Sequence, residues 1–154
     1  MQTSIAGAIA GVIGGAVMAG AMTAGRNAGI VSPTLTDLAK AWLDRNLNAR
    51  HRVGESGTSV LEQLNYMAAS SIFGIGYAHA RRYFDRFAPA AAGAIFGGGL
   101  YALNLGGIAS LIGLTHGERN YTPQVTSRRL GMHILYGVVT AVVADRLMQA
   151  SGQP

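Results

Sequence analysis

The stretch from Pro89 to Leu114, PAAAGAIFGGGLYALNLGGIASLIGL, runs for 26 residues without Asp, Glu, Lys, Arg or His. At ~1.5 Å per residue a helix of that length reaches ~39 Å, enough to cross a bilayer core of ~30 Å with some tilt. A turn of ~100° per residue puts Gly93, Gly97, Asn104 and Gly107 on one stripe. Gly99, Gly106, Ser110 and Gly113 fall on a second, well round the helix. Small residues at such spacing let another helix backbone come close, which is how helices associate in lipid. Two stripes predict neighbours on two sides.

Composition agrees with a membrane chain. Hydrophobic residues make up 49% and charged residues 12%, and mean hydropathy is +0.27 even though 22 glycines dilute it. The length of 154 residues fits one domain. There is no cysteine, so disulfides, thiolate metal sites and a cysteine nucleophile are excluded. The net charge of +5 comes from arginines spread through the loops. No basic tract carries interleaved aromatics, so the charge points to topology and lipid headgroups, not nucleic acid.

A second uncharged run, Ile5 to Gly25, predicts a retained span. Its 21 residues exceed the apolar core of a signal peptide, ~7–15 residues, and Met1–Ser4 carries no basic residue. Gly7, Gly11 and Gly15, four residues apart, form a glycine zipper. Ser32-Pro33 then reads as a helix start, predicting a short amphipathic helix over about 33–47. Leu35, Leu38 and Trp42 form its apolar face, and Lys40 and Arg45 reach for water at the membrane surface. Residues 50–57 read as irregular loop.

The third and fourth candidate spans, about 59–80 and 130–150, are less apolar. Glu62 and Asn65 share a face of one, and His133 and Gly137 share a stripe of the other, so these faces are expected to meet protein or water. With spans at about 5–25, 59–80, 89–114 and 130–150, the predicted fold is all-α: a four-helix transmembrane bundle with one interfacial helix. Phe73-Gly74-Ile75 is echoed by Tyr136-Gly137-Val138, an echo read as chance likeness between glycine-rich helices.

From Phe73-Gly74-Ile75-Gly76-Tyr77 through Ala91-Ala92-Gly93-Ala94, Gly113-Leu114-Thr115, His133, Tyr136 and Asp145-Arg146-Leu147, the chain resembles the YagU-like family of small multipass bacterial inner-membrane proteins. The resemblance covers roughly residues 60–148. It implies four spans in the inner (plasma) membrane with cytoplasmic termini, and it implies no activity or site residues. The arginine count points the other way. The two long loops hold eight of the twelve Lys and Arg residues, which would make those loops cytoplasmic.

The polar intramembrane residues Glu62, Asn65, Asn104 and His133 form the candidate cluster. Glu62 and His133 each lie three residues inside their span, and equal depth predicts a hydrogen-bonded pair, either a clasp between helices or a proton site. Asp145 and Arg146 face Arg81 and Arg82 at the opposite end, a candidate charge ring. No catalytic motif, metal-ligand spacing or phosphate-binding loop is present, so neither an enzyme nor a cofactor is expected. Membrane lipids and other transmembrane subunits, or further copies of the chain, are the expected partners. The leading expectation is a protein that works by helix–helix association. The alternative is a small proton-linked permease or channel using Glu62, Asn65 and His133.

Overall fold

The computed structural model describes residues 2–30, 41–42, 44–104, 107, 111 and 122–152. Every regular element among them is helical. Four helices make the body: α1 (Thr3–Asn27), α2 (Ala49–Ala80), α3 (Pro89–Leu103) and α4 (Pro123–Ala150). A 3₁₀ turn, Arg81–Phe84, leads from α2 towards α3. Pro89 and Pro123 start α3 and α4 at first-turn positions, where the missing N–H costs nothing. By length and composition α1 and α4 are able to cross a membrane, while α3 is a shorter apolar helix. Of the predicted third span beyond Leu103, the described residues are π-helical Asn104 and Gly107 and α-helical Leu111.

The predicted interfacial helix is described only at its end. Residues 41–42 and 44–47 are helical, with Trp42 half-buried and Arg45 exposed, while Leu35, Leu38 and Lys40 lie outside the described residues. The expected loop at 50–57 is instead the first part of α2. Gly54 breaks it with φ 72° and ψ 178°, a conformation that glycine alone adopts readily, so the segment is two helices joined at a kink. The Thr58 hydroxyl donates to the Gly54 carbonyl (2.8 Å) and holds the kink from one turn later.

Helices α1 and α2 run antiparallel along a glycine seam. A methyl group placed on Gly7 would lie 2.6 Å from the Gly74 carbonyl oxygen and 2.8 Å from Ala78 Cβ. One placed on Gly74 would lie 2.6 Å from Gly11 Cα. Gly11 and Gly15 both face Ser70. Helices α3 and α4 are joined the same way. A methyl on Gly93 would lie 2.7 Å from Ala141 Cβ, one on Gly137 would lie 2.8 Å from Gly97 Cα, and Gly97 backs onto His133.

The correspondence runs residue by residue. Gly74, Ile75 and Ala78 stand to Gly7 as Gly137, Val138 and Ala141 stand to Gly93. Ser70 stands to Gly11 as His133 stands to Gly97. The echo between the two halves is therefore a structural repeat of two helical hairpins, not a chance likeness. In the sequence it is masked because only the seam positions repeat among many other glycines and alanines.

Gly107, predicted as a packing residue, is open: among the described residues nothing lies within 4 Å of where a methyl group would sit, in contrast to Gly93 and Gly97. The helix turns π-helical at Asn104, which changes the angular phase that placed Gly107 on the same stripe.

The hairpins meet mainly through α1 and α4, where Gly14 lies against Tyr136 and Thr140. Across the other diagonal α2 and α3 stand farther apart. They touch through an edge-to-face pair, Tyr77 and Phe96, with centroids 5.2 Å apart. The interior is rich in small residues: Ala6, Ala10, Ala92, Ala141 and Ala144 are buried beside Tyr77. Many large aliphatics are outside, although Leu100 is buried. Ile5, Ile9, Ile13 and Val17 form an exposed ridge along α1.

Gly97→Leu is expected to lower the thermal midpoint in detergent sharply, since overpacking a filled contact costs ~1–3 kcal/mol or more. Gly98→Leu, with nothing within 4 Å of a methyl position among the described residues, should leave the midpoint within about two degrees of wild type. Equal midpoints for the two variants in a thermal scan would refute the seam as described.

Candidate functional site

Two polar regions lie at different levels of the bundle. The first is a cavity of about 90 Å³ in the gap between α2 and α3. Its walls include Tyr66, Phe73, Leu100, Asn104, His133 and Tyr136. His133 is buried, and its Nδ1–H donates to the Arg129 carbonyl one turn back (2.9 Å). A carbonyl only accepts, so Nδ1 carries a proton. The imidazole stands edge-to-face with Tyr101, centroids 5.5 Å apart.

Both tyrosine hydroxyls at this level are tied to a neighbouring backbone. Tyr66 donates to the Gly15 carbonyl (2.9 Å) and Tyr136 to the Ser70 carbonyl (2.7 Å). These bonds lock α2 to α1 and α4 to α2, and they satisfy groups that would be costly to leave bare in a dry interior.

Asn104 and His133 thus come together at one cavity, but Glu62 and Asn65 do not line it. Asn65 is exposed and Glu62 half-buried. Register, not depth from the edge of an apolar run, decides which residues meet. Arg81 lies opposite Asp145, so the level of Glu62 on α4 falls near Thr126, about seven residues or ~10 Å short of His133.

The second region is that pair. Arg81 Nε–H is shared between Asp145 Oδ1 (3.0 Å) and Oδ2 (2.9 Å). The same guanidinium donates to the carbonyl of Phe84 and to that of Phe87 (3.3 Å). One side chain therefore binds α4 and gathers the α2–α3 connection around itself. The Asp145 side chain is 8% exposed and that of Arg81 19%, so the ion pair is shielded. Next to it the Ser4 hydroxyl and His79 Nε2 are 3.0 Å apart, fastening the start of α1 to the end of α2. Arg146, predicted in the charge ring, is exposed, and the ring reduces to the one pair among the described residues.

A cavity of about 530 Å³ opens at this end, with His79, Arg81, Arg82, Asp85, Asp145 and Gln149 among its walls. Its charges are legible in the sequence but the cavity is not. Its volume depends on how the connection folds back over the ends of α2 and α4. Tyr77 and Thr140, at matching places in the two hairpins, are buried hydroxyls without a hydrogen-bond partner among the described residues. No cluster of three or more metal-ligating side chains occurs among the described residues. No protein family, curated protein or solved structure matches the chain, so the YagU-like resemblance rests on the sequence motifs alone.

Removing one partner of a shielded ion pair strands the other. Arg81→Met is expected to cost ~3–5 kcal/mol in detergent unfolding, and the double variant Arg81→Met/Asp145→Leu much less. A single variant as stable as the wild type would show the pair to be idle.

Proposed function

We propose that the chain is a four-span membrane protein that acts by helix–helix association, as an accessory subunit of a larger membrane assembly or as an oligomer of itself. The observation that carries this reading is the inverted distribution of size. Glycine and alanine fill the helix seams, with Tyr77, Tyr136, Leu100, Met18, Met22 and Met148 the larger buried side chains among the described residues, while Ile5, Ile9, Ile13 and Val17, at 39–48% exposure, line the outside of α1. In water that ridge would be an exposed apolar patch; in a bilayer it faces acyl chains and costs nothing.

The up-and-down order supports four spans. Tyr66 to Ala78 of α2 lies along α1, and α3 lies along α4, so two helices that cross carry the other two with them. The bacterial inner membrane is proposed from the YagU-like resemblance.

Association is favoured because the seams do not use all the glycines. Around Gly76, Gly98 and Gly99 no described atom lies within 4 Å of a methyl position, leaving small-residue faces on α2 and α3 for another helix. Purification in mild detergent is expected to retain further copies or other transmembrane proteins. Gly98→Leu should release them without lowering the thermal midpoint. A chain that purifies as a lone monomer, unaltered by Gly98→Leu, would overturn the reading.

A second reading, the proton-linked permease, has the buried Asn104–His133 cavity in its favour, next to a π-helical turn of the kind common at functional sites. It draws on Asn104 and His133 in place of Glu62 and Asn65. His133→Gln would abolish pH-dependent flux in reconstituted vesicles if this reading held.

A further inference from the structure

We propose that the 530 Å³ cavity beside the Arg81–Asp145 pair binds a phosphate–ammonium zwitterion, the phosphoethanolamine group of a phospholipid. The inference rests on the membrane reading above and names a ligand for one end of the bundle.

The charges in the walls balance. Arg81 and Asp145 neutralise each other, which leaves Arg82 and Asp85 as the cavity's uncommitted charges, one of each sign. Asp85 has no ion-pair or hydrogen-bond partner among the described residues. Arg82 spends one donor on the Tyr83 hydroxyl (2.8 Å) and lies over that ring (4.8 Å), out of five N–H donors on a guanidinium. An anion alone would leave Asp85 opposed to it, and a cation alone would leave Arg82 so. A ligand that carries both charges a few ångströms apart answers both. Gln149 adds an amide for the phosphate, and Ala78 and Met148 give the apolar wall that the glycerol end needs.

The depth is independent of the charges. In the connection that edges the cavity, Tyr83 is 70% and Phe87 46% exposed. Exposed aromatics alternating with Arg82 and Arg86 mark the headgroup layer, where ring and guanidinium both find partners. The cavity volume lies in the range that encloses a small molecule. The ammonium matters chemically: it offers three N–H donors to Asp85, whereas a quaternary choline offers none.

The experiment is native mass spectrometry of the full chain released from micelles holding equal amounts of phosphatidylethanolamine, phosphatidylglycerol and phosphatidylcholine. Wild type is expected to retain phosphatidylethanolamine about tenfold over each of the others. Arg82→Gln and Asp85→Asn, both on the exposed connection, should each abolish the preference with helicity unchanged. Displacement of the bound lipid by water-soluble glycerophosphoethanolamine would assign the recognition to the headgroup alone; resistance to it would assign it to the intact lipid. Equal retention of phosphatidylglycerol or of phosphatidylcholine overturns the proposal while leaving the membrane reading standing. A chain that stays soluble without detergent overturns both.

Discussion

Close approach of backbones at glycine is the constraint from which the rest of this bundle follows. A glycine inside a helix costs ~0.5–1 kcal/mol against alanine, and eight buried glycines are spread over the described parts of the four helices. Dispersion across a tight contact has to offset that cost, and on the proposed membrane reading it does so with little help from apolar burial. The Gly7–Gly11–Gly74 and Gly93–Gly97–Gly137 contacts do so twice with one geometry. Helices drawn this close leave little room for large side chains at the seams, and Ile5, Ile9, Ile13 and Val17 lie outside them. Of the tyrosines that remain within reach, Tyr66 and Tyr136 find acceptors on neighbouring backbone, while the buried Tyr77 hydroxyl has none among the described residues.

The two hairpins repeat, but their union is lopsided, and a single substitution within the repeat accounts for much of it. Gly14 of α1 corresponds to Leu100 of α3. At Gly14 the partner helix comes in until Thr140 and Tyr136 touch the backbone. At Leu100 a buried side chain occupies that space, and it lines the cavity that separates α2 from α3. The small-residue contact closes one side of the bundle; the leucine keeps the other ajar. Arg81 then bridges the hairpins at the end where side-chain packing cannot, by binding Asp145 and two carbonyls of the α2–α3 connection.

What the amino-acid sequence disclosed was periodic, and what it hid depended on phase and register. Spacing of four identified Gly7, Gly11, Gly15, Gly93, Gly97 and Gly137 as small-residue positions, and all six lie on buried helix faces. Gly107, placed on the same stripe, has nothing within 4 Å of a methyl position among the described residues, and Asn104 and Gly107 are π-helical, a turn that spacing of four does not foresee. Spacing also missed the kinked start of α2, since Arg50, His51 and Gly54 carry the composition of a loop while adopting a helix on either side of one non-helical glycine. The cavity that gathers Asn104 and His133 was not legible in the sequence, because the contacts at Gly74, Gly137 and Arg81 set the mutual height of the helices and none of them can be read from the ends of the apolar runs.

The division between a tightly closed middle and an open, charged end bears on where the chemistry of this protein resides. Along the middle, each glycine contact that tightens the seam also removes space for water, and the cavity that survives there is the size of a few solvent molecules. Any polar traffic through it would need α2 and α3 to part, and they face each other without a glycine seam. At the end, by contrast, the same close packing splays nothing. The helices simply stop, and the residues of the connection, freed from the seam's demand for small side chains, carry Arg82, Tyr83, Asp85 and Phe87. The middle buries Tyr77, Tyr136 and His133 beside its small residues, whereas the connection exposes Arg82, Tyr83, Asp85 and Phe87. On the proposed reading, recognition of another molecule falls to the ends and the outer faces.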